Sequence, residues 1–168
     1  MKNGKSHRLV LNFDGLCEPV NPGGVATYGF VVKRGSEVVC EGRGLVGAGM
    51  LGDDVTNNVA EYTALIKALE CLKERGLEGE KVLIRGDSQL VIKQLKGEYK
   101  VRSSRIKPLY EKVRKLLKSF DYELEWVPRE LNAEADALSR EAFKEFVEKH
   151  KKEYNEYYSS SRFSGRRR

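Results

Sequence analysis

The order of strand patterns and helix patterns constrains the fold of this chain more than any other feature of its sequence. Three segments with strand character come first, at residues 7–14, 25–33 and 37–45. Helix patterns then alternate with two further strands, at residues 81–87 and 122–128. Strands that lead into an alternation of helices and strands predict an α/β protein, in which helices cover a single mixed sheet.

The helix patterns define one domain. They occupy residues 58–75, 88–97, 103–120 and 131–154. The 168 residues are enough to bury one hydrophobic core, and the sequence contains no internal repeat. We therefore expect one domain over residues 1–148. Residues 149–168 are predicted to form a basic, partly disordered C-terminal tail, whose tyrosines could pack on the domain or extend into solvent.

The positive charge of the chain is concentrated in two blocks. Residues 96–118 contain nine basic and two acidic side chains, and residues 149–168 contain seven and two. Residues 119–148 lie between them and contain three basic and nine acidic side chains. Basic clusters favour polyanionic partners, because contacts to phosphates release condensed counterions. A solvated helix face beside a basic tail would have the same composition, so charge alone leaves both interpretations open.

The sequence also carries signals of compartment and assembly. No stretch of about 18 apolar residues is present, and the N-terminal residues lack the apolar region of a signal peptide. We therefore expect a cytoplasmic protein that does not contact membranes. The three cysteines, Cys17, Cys40 and Cys71, lack metal-ligand spacing and are expected to be reduced thiols packed as small hydrophobic groups. No oligomerisation motif is visible, and a monomer is expected.

Four acidic residues stand out by their positions: Asp14, Glu61, Asp87 and Asp136. Asp14 and Asp87 end predicted strands, where α/β proteins often place their functional sites. Glu61 lies in the apolar stripe of the first long helix, and Asp136 lies in the first turns of the last helix. Each has an ordinary alternative as a turn residue, a helix cap, a group that favours the helix dipole, or a solvent-exposed position. Periodicity does not show whether the four meet in space.

Four stretches of the chain resemble the type 1 ribonuclease H family, in the compact form found in archaea and some bacteria. They read FDGLCEPVNPGG, TNNVAEYTAL, IRGDSQLVIKQL and WVPRELNAEADALS, and they occur in the order typical of that family. Each stretch contains one of the four acids. The resemblance implies a ribonuclease H-like fold, with a five-stranded mixed sheet that begins with three antiparallel strands and has helices on both faces.

The resemblance further implies an endoribonuclease that hydrolyses the RNA strand of RNA–DNA hybrids, largely without sequence preference. Its products would carry a 5′ phosphate and a 3′ hydroxyl. Two Mg²⁺ or Mn²⁺ ions bound by the four carboxylates would activate a water and neutralise the leaving oxygen. By analogy with the family, Asp14 would bridge both ions and Asp136 would help bind the ion on the water side. Glu61 and Asp87 would bind the ion on the leaving-group side.

The resemblance also implies a set of substrate-binding residues: Asn21, Thr56, Asn57, Asn58, Gln89, Arg129 and Asn132. The first three asparagines and Gln89 match positions that contact both strands across the minor groove, where 2′-hydroxyls distinguish RNA from DNA. Thr56 matches a contact to a DNA phosphate, although it could equally cap the following helix. Asn132 retains a position of the family motif.

The chain departs from the family in the loop before the last helix, which contains no histidine. Arg129 is the nearest substitute and could contact a phosphate, but it is not expected to act as a general base because guanidinium groups stay protonated. The two histidines, His7 and His150, lie elsewhere in the sequence. A shorter basic segment, KGEYKVRSSRIKP, stands where larger members have a basic protrusion. Hybrid affinity is therefore expected from the helix at 105–118 and from the C-terminal tail.

Two alternatives remain at this point. A nuclease of the same fold could act on double-stranded RNA or on branched DNA. A nucleic-acid-binding module could keep the fold without the chemistry, although the presence of all four acids speaks against it.

Overall fold

A five-stranded mixed sheet forms the centre of the computed structural model, which describes residues 8–159. Its strands are β1 (Leu9–Glu18), β2 (Val25–Arg34), β3 (Glu37–Ala48), β4 (Lys81–Gly86) and β5 (Asp121–Trp126). Their spatial order is β3-β2-β1-β4-β5. The first three strands pair in antiparallel fashion, whereas β4 runs parallel to both β1 and β5. The α/β fold with three antiparallel strands first, expected from the sequence, is confirmed.

Within the described residues, five helices accompany the sheet: α1 (Asn57–Glu74), α2 (Gln89–Leu95), α3 (Lys107–Leu117), α4 (Ala133–Lys149) and α5 (Lys151–Tyr158). Short 3-10 turns occupy Gly49–Leu51 and Arg129–Asn132. Gly76, with a φ of +74°, ends α1 as its position in the sequence predicts. Over residues 8–159, none of the helices combines the length and the apolar character that crossing a bilayer requires.

Two glycines show that helices cover both faces of the sheet. A Cβ on Gly15 would lie 2.4 Å from the carbonyl carbon of Ala60 in α1. A Cβ on Gly29 would lie 2.5 Å from the carbonyl oxygen of Ala135 in α4. Gly29 pairs with Asp14, the residue before Gly15, and successive strand residues point to opposite faces. Helices α1 and α4 therefore pack on opposite faces of the sheet.

The main hydrophobic core lies on the α1 face. Its fully buried members include Leu9, Leu11 and Phe13 of β1, Leu65, Leu69 and Leu72 of α1, and Val113 and Leu117 of α3. Alternate residues of β1 therefore meet the apolar stripe of α1, and α3 packs against α1 from outside. Burying each of these side chains stabilises the fold by about 1.5–3 kcal/mol.

Two elements differ from the prediction. Strand β1 was expected to end at Asp14, but it continues to Glu18 because residues 14–18 pair with residues 25–29 of β2. The last helix was expected to run unbroken over residues 131–154. It is interrupted at His150, whose φ of −122° and ψ of 34° are not helical.

Most of the described residues after position 148 are helical. The expected domain boundary after residue 148 falls inside α4, and α5 follows it directly. Tyr158 of α5 is 1% exposed and packs with Val20, Val25 and Ala48 in a second hydrophobic cluster. Residues 160–168, which include the final arginines of the predicted tail, lie outside the described part of the chain.

A disulfide bond joins Cys40 of β3 to Cys71 of α1, with their Cα atoms 6.4 Å apart. The expectation of three reduced thiols is therefore wrong for this pair. Cys17 is a free and buried thiol, as expected. The pair was missed because 31 residues separate the two cysteines, and only the packing of α1 against the sheet brings them together.

Candidate active site

Three of the four acids identified in the sequence form one cluster. Asp14 lies within β1, Glu61 lies in α1, and Asp87 directly follows β4. Each offers one carboxylate oxygen, and these three oxygens all lie within 4.8 Å of one another. Asp14 and Glu61 are each only 5% exposed. Carboxylates this buried require hydrogen-bond partners or a cation, because solvation no longer stabilises their charge.

Asp136, the fourth acid, lies in the first turn of α4 and lines the same cavity, which has a volume of about 340 Å³. It is not one of the three acids whose oxygens lie within 4.8 Å of one another. Its carboxylate pairs at 3.3 Å with Arg140, which also contacts Glu18 at 3.4 Å. Arg140 was not identified from the sequence. Its spacing of four residues from Asp136 on a helix is the signal that indicates such a pair.

The close approach of β1 and α1 explains how Glu61 reaches Asp14. Any side chain at Gly15 would collide with the backbone of Ala60 and Glu61, at 2.4 and 2.5 Å. The glycine therefore lets the first turns of α1 lie directly on the strand that carries Asp14. This contact places Glu61 in the apolar stripe of the helix and at the same time beside the other acids.

Burial and neighbouring negative charges raise the pKa values of all three acids. Burial, and then the charge of Asp87, raise the pKa of Asp14 from 3.8 to about 7. Burial, and then the charge of Asp14, raise the pKa of Glu61 well above its ordinary value. Burial also raises the pKa of Asp87, although a hydrogen bond from Asn132 and the charge of Arg129 act in the opposite direction. A positive charge bound among these acids would relieve the repulsion.

One carboxylate oxygen of the cluster lacks a hydrogen-bond donor in the described part of the chain. Glu61 Oε1 is buried and accepts no hydrogen bond from any residue in the described part of the chain. A buried carboxylate oxygen without a donor is costly unless a cation is bound. Carboxylate oxygens are the ligands that Mg²⁺ and Mn²⁺ prefer. The residues present therefore fit a divalent cation.

Two of the expected substrate-binding residues form a pair at the edge of the cavity. Asn21 donates through Nδ2 to Oδ1 of Asn57 at 2.8 Å. The backbone N–H of Asn57 donates in return to Oδ1 of Asn21 at 3.1 Å. Both residues line the cavity of the acids, as does Arg129. The pair joins the loop after β1 to the first residue of α1.

Three other expected residues lie close to the acid cavity without lining it. Thr56 caps α1, because its Oγ1 accepts a hydrogen bond from Val59 N at 3.1 Å. Asn58 lines a neighbouring groove that also contains Tyr99, Lys100 and Arg102. Gln89 is the exposed first residue of α2. Its neighbour Ser88 lines the acid cavity, and Leu90 lines the groove.

Asn132, the remaining expected substrate-binding residue, is buried against β1. It is 1% exposed; its Nδ2 donates to the carbonyl of Phe13 at 2.9 Å, and its Oδ1 accepts from Asn12 at 2.9 Å. Its side chain also contacts Asp87. Asn132 therefore ties the start of α4 to β1. Trp126, not singled out in the sequence, donates from Nε1 to the backbone oxygen of Asp87 at 3.1 Å.

His150, the one histidine among residues 8–159, does not line the acid cavity. His150 lies between α4 and α5 with its ring against Phe146. Among the residues that the structure describes, no histidine lines the acid cavity. His7 lies outside the described part of the chain.

Known proteins are similar to this chain over most of its length. The family described as reverse transcriptase-like matches residues 12–142. Ribonuclease HI of Halobacterium salinarum is 38% identical over 136 residues, which are 80% of this chain and 64% of that protein. A bifunctional protein of Mycobacterium tuberculosis is 38% identical over 138 residues, which are 80% of this chain and 35% of that protein. The chain thus spans less than two thirds of the length of these two curated relatives.

Solved structures extend the similarity to the fold. RNase H1 of Halobacterium salinarum is 38% identical, with a TM-score of 0.71, covering 82% of this chain and 98% of its own. The N-terminal RNase H domain of the Mycobacterium tuberculosis protein is 33% identical, with a TM-score of 0.74 and coverages of 85% and 98%. LC11-RNase H1 in complex with an RNA/DNA hybrid is 33% identical, with a TM-score of 0.73 and coverages of 83% and 99%. The chain belongs to the type 1 ribonuclease H family.

Proposed function

We propose that this protein is an endoribonuclease that hydrolyses the RNA strand of RNA–DNA hybrids and leaves a 5′ phosphate and a 3′ hydroxyl. The observation that carries the proposal is the cluster of Asp14, Glu61 and Asp87, with the buried and unpartnered Oε1 of Glu61. Membership of the ribonuclease H family supports the reaction. The relative solved with an RNA/DNA hybrid supports the substrate.

Two Mg²⁺ or Mn²⁺ ions are part of the proposal, with Asp14, Glu61, Asp87 and Asp136 as their protein ligands. Bound there, the ions would lower the pKa of the attacking water and neutralise the leaving oxygen. The chain's own contribution is to hold the four carboxylates together, in spite of their repulsion, on β1, on α1, at the end of β4 and on α4. Asn132 and Trp126 act as positioning residues, because both hold Asp87 by hydrogen bonds.

Polar residues around the cavity support the choice of substrate. The side-chain amides of Asn21 and Asn57 can donate and accept hydrogen bonds, which suits a 2′-hydroxyl. Arg129 lines the same cavity and can bind a phosphate oxygen. Contacts of this kind address the sugar and the backbone, so cleavage is largely independent of sequence. One chain contains every residue in these roles, and in this proposal the protein acts as a monomer.

The proposal is tested with matched labelled substrates: an RNA–DNA hybrid, double-stranded RNA, double-stranded DNA and a branched DNA. Each is incubated with Mg²⁺ or Mn²⁺, with and without EDTA. The expected result is cleavage of the RNA strand of the hybrid, abolished by EDTA. Cleavage of double-stranded RNA or of a branched DNA instead would favour a different nuclease of this fold. Binding without any cleavage would favour a non-catalytic module.

The Asp87→Asn variant separates catalysis from binding. It removes one negative charge from the acid cluster and keeps nearly the same shape. We expect cleavage to be lost while the Kd for the hybrid is retained. Asp121→Asn is the matched control, because Asp121 is exposed and pairs with Lys81 at the opposite end of the parallel strands. Equal loss of cleavage in both variants would contradict the assignment of the site.

A further inference from the structure

Helix α5 lies outside residues 12–142, the part of the chain that the family matches. It nevertheless packs on the body of the protein. Its last residue, Tyr158, is 1% exposed in the cluster with Val20, Val25 and Ala48. Val20 belongs to the loop between β1 and β2, residues 19–24, which also carries Asn21. Helix α5 therefore contacts a loop that reaches the cavity of the acids.

The hydroxyl group of Tyr158 makes the closest connection to that loop. It donates a hydrogen bond to the carbonyl oxygen of Gly23 at 2.9 Å. It also accepts a hydrogen bond from the backbone N–H of Met50 at 3.3 Å. Burial raises the pKa of Tyr158 to about 12, so the hydroxyl stays protonated as a donor at neutral pH. One buried side chain thus joins the 19–24 loop to the turn after β3.

Further backbone hydrogen bonds fix the same part of the loop. Gly23 N donates to the carbonyl of Val55 at 3.0 Å, and Gly49 N donates to the carbonyl of Gly24 at 3.0 Å. The other part of the loop ends at the cavity, where Asn21 pairs with Asn57. Hydrogen bonds from Tyr158, and between Gly23 or Gly24 and nearby backbone groups, therefore hold the end of the loop that is remote from the cavity. Asn21 lies at the end that lines the cavity.

We propose that Tyr158 is a positioning residue for substrate binding, which acts through Gly23 to hold Asn21 and Asn57 in place at the cavity. This inference rests on the proposed function. The hydroxyl contacts the loop backbone two residues from Asn21, and its hydrogen bonds within the described part of the chain go to Gly23 and Met50 rather than to the acids. The consequence is a selective one: loss of the hydroxyl weakens the binding of the hybrid and leaves the chemical step intact.

The Tyr158→Phe variant tests the inference, because it removes the hydroxyl and keeps the buried ring. We expect KM for the hybrid to rise by about 3- to 10-fold, the effect of losing one hydrogen bond, with kcat within about 2-fold of the wild type. Tyr122→Phe is the matched control, since Tyr122 lies on β5 and packs against the main core. Its KM should match the wild type. A fall in Tm without any change in KM would reduce Tyr158 to a structural role and overturn the inference.

A double-mutant cycle with Asn21→Ala shows whether the effect passes through the loop. If Tyr158 acts by positioning Asn21, the effect of Tyr158→Phe on KM should be largely absent in the Asn21→Ala background. An undiminished effect there would contradict the inference. A wild-type protein that cleaves no hybrid would refute the proposed function itself. If the wild type cleaves the hybrid, but Tyr158→Phe raises KM equally with and without Asn21→Ala, only the role of Tyr158 is refuted.

Discussion

Asp14, Glu61 and Asp87 oppose the folding of the protein while no cation neutralises them. The pKa of each acid is higher in the folded state than in the unfolded state. At pH values between these two pKa values, the folded state therefore binds more protons. Stability therefore falls as the pH rises from about 4 to about 7. Asp14 contributes to this fall over nearly all of that pH range, because its pKa rises from 3.8 to about 7 on folding.

Asp14→Asn should stabilise the cation-free protein at neutral pH. The substitution removes a charge that burial and Asp87 both oppose. Each pKa unit corresponds to about 1.4 kcal/mol, and each kcal/mol to roughly 2–4 °C in Tm for a protein of this size. We expect Tm in EDTA to rise by several degrees at pH 7 and to change little at pH 4, as measured by circular dichroism.

Addition of Mg²⁺ or Mn²⁺ completes this experiment. The wild type should gain Tm as the cation concentration increases, because ligands of the folded state stabilise it. The Asp14→Asn variant should gain less. Asp121→Asn serves again as the charge-matched control. A variant that is destabilised equally at pH 4 and pH 7 would contradict the repulsion argument.

Individual residues differ in how far the sequence reveals their place. Glu61 could be recognised because a carboxylate in an apolar stripe breaks the helix pattern. The convergence of the acids followed from the family resemblance, since each acid alone had an ordinary explanation. Asn132 could not be placed by pattern: its hydrogen bond to Phe13 spans 119 residues of chain, and only the packing of α4 on β1 buries it.

At the scale of the elements, strand β1 shows how tertiary pairing overrides a local signal. The residues Asp14 and Gly15 resemble a turn, and the prediction ended the strand there. In the structure, both residues pair with β2, and Gly15 also accommodates the backbone of α1. The break at His150 was missed for the opposite reason, because neither glycine nor proline marks it. The order of strands and helices along the chain was predictable from periodicity, and the antiparallel pairing of the first three strands followed from the family resemblance. The boundaries described here depended instead on contacts between elements.

Gly15→Ala should separate β1 from α1. The added Cβ would lie 2.4 Å from backbone carbon of Ala60, so the helix must shift. We expect a loss of stability of about 1–3 kcal/mol, and a loss of cleavage larger than the loss of folded protein, because Glu61 moves with the helix. Urea unfolding and cleavage assays measure the two effects. Gly44→Ala is the control, since the three atoms nearest to its Cβ all belong to the side chain of Tyr28, the nearest at 3.0 Å. Equal effects of the two substitutions would argue against a special role for the contact at Gly15.

The Cys40–Cys71 disulfide ties β3 to α1, the helix that carries Glu61. Closing a loop of 31 residues restricts the unfolded chain, which corresponds to about 3–4 kcal/mol in the loop-entropy treatment. We expect reduction by dithiothreitol to lower the free energy of unfolding by up to that amount. A Cys40→Ser/Cys71→Ser variant should be insensitive to the reductant. Cys17→Ser, which leaves the disulfide intact, should respond as the wild type does. Identical urea midpoints of the wild type with and without reductant would contradict the stabilising role.

At the scale of the whole molecule, the two ends of the basic block at residues 96–118 lie at different distances from the acid cavity. Helix α3 starts beside the groove of Asn58, to which Ile106 also contributes. It ends before Lys118, close to the start of β5, where Asp121 pairs with Lys81. Asp87 follows the other end of β4, and the acid cavity lies there. The hypothesis that the whole helix at 105–118 binds the hybrid therefore narrows to its first residues and the preceding loop.

Two exposed residues of that loop, Lys100 and Arg102, line the groove with Asn58. If both bind phosphates of the hybrid, Lys100→Gln/Arg102→Gln should weaken binding and make the log Kd against log salt slope shallower by about 1.4–1.8. The measurement is fluorescence anisotropy between about 50 and 200 mM salt, in the Asp87→Asn background to prevent cleavage. The charge-matched control is Lys115→Gln/Lys118→Gln, at the far end of α3, which should leave the slope unchanged. Equal changes in the two double variants would mean that the hybrid is attracted by net charge rather than bound along the groove beside Asn58.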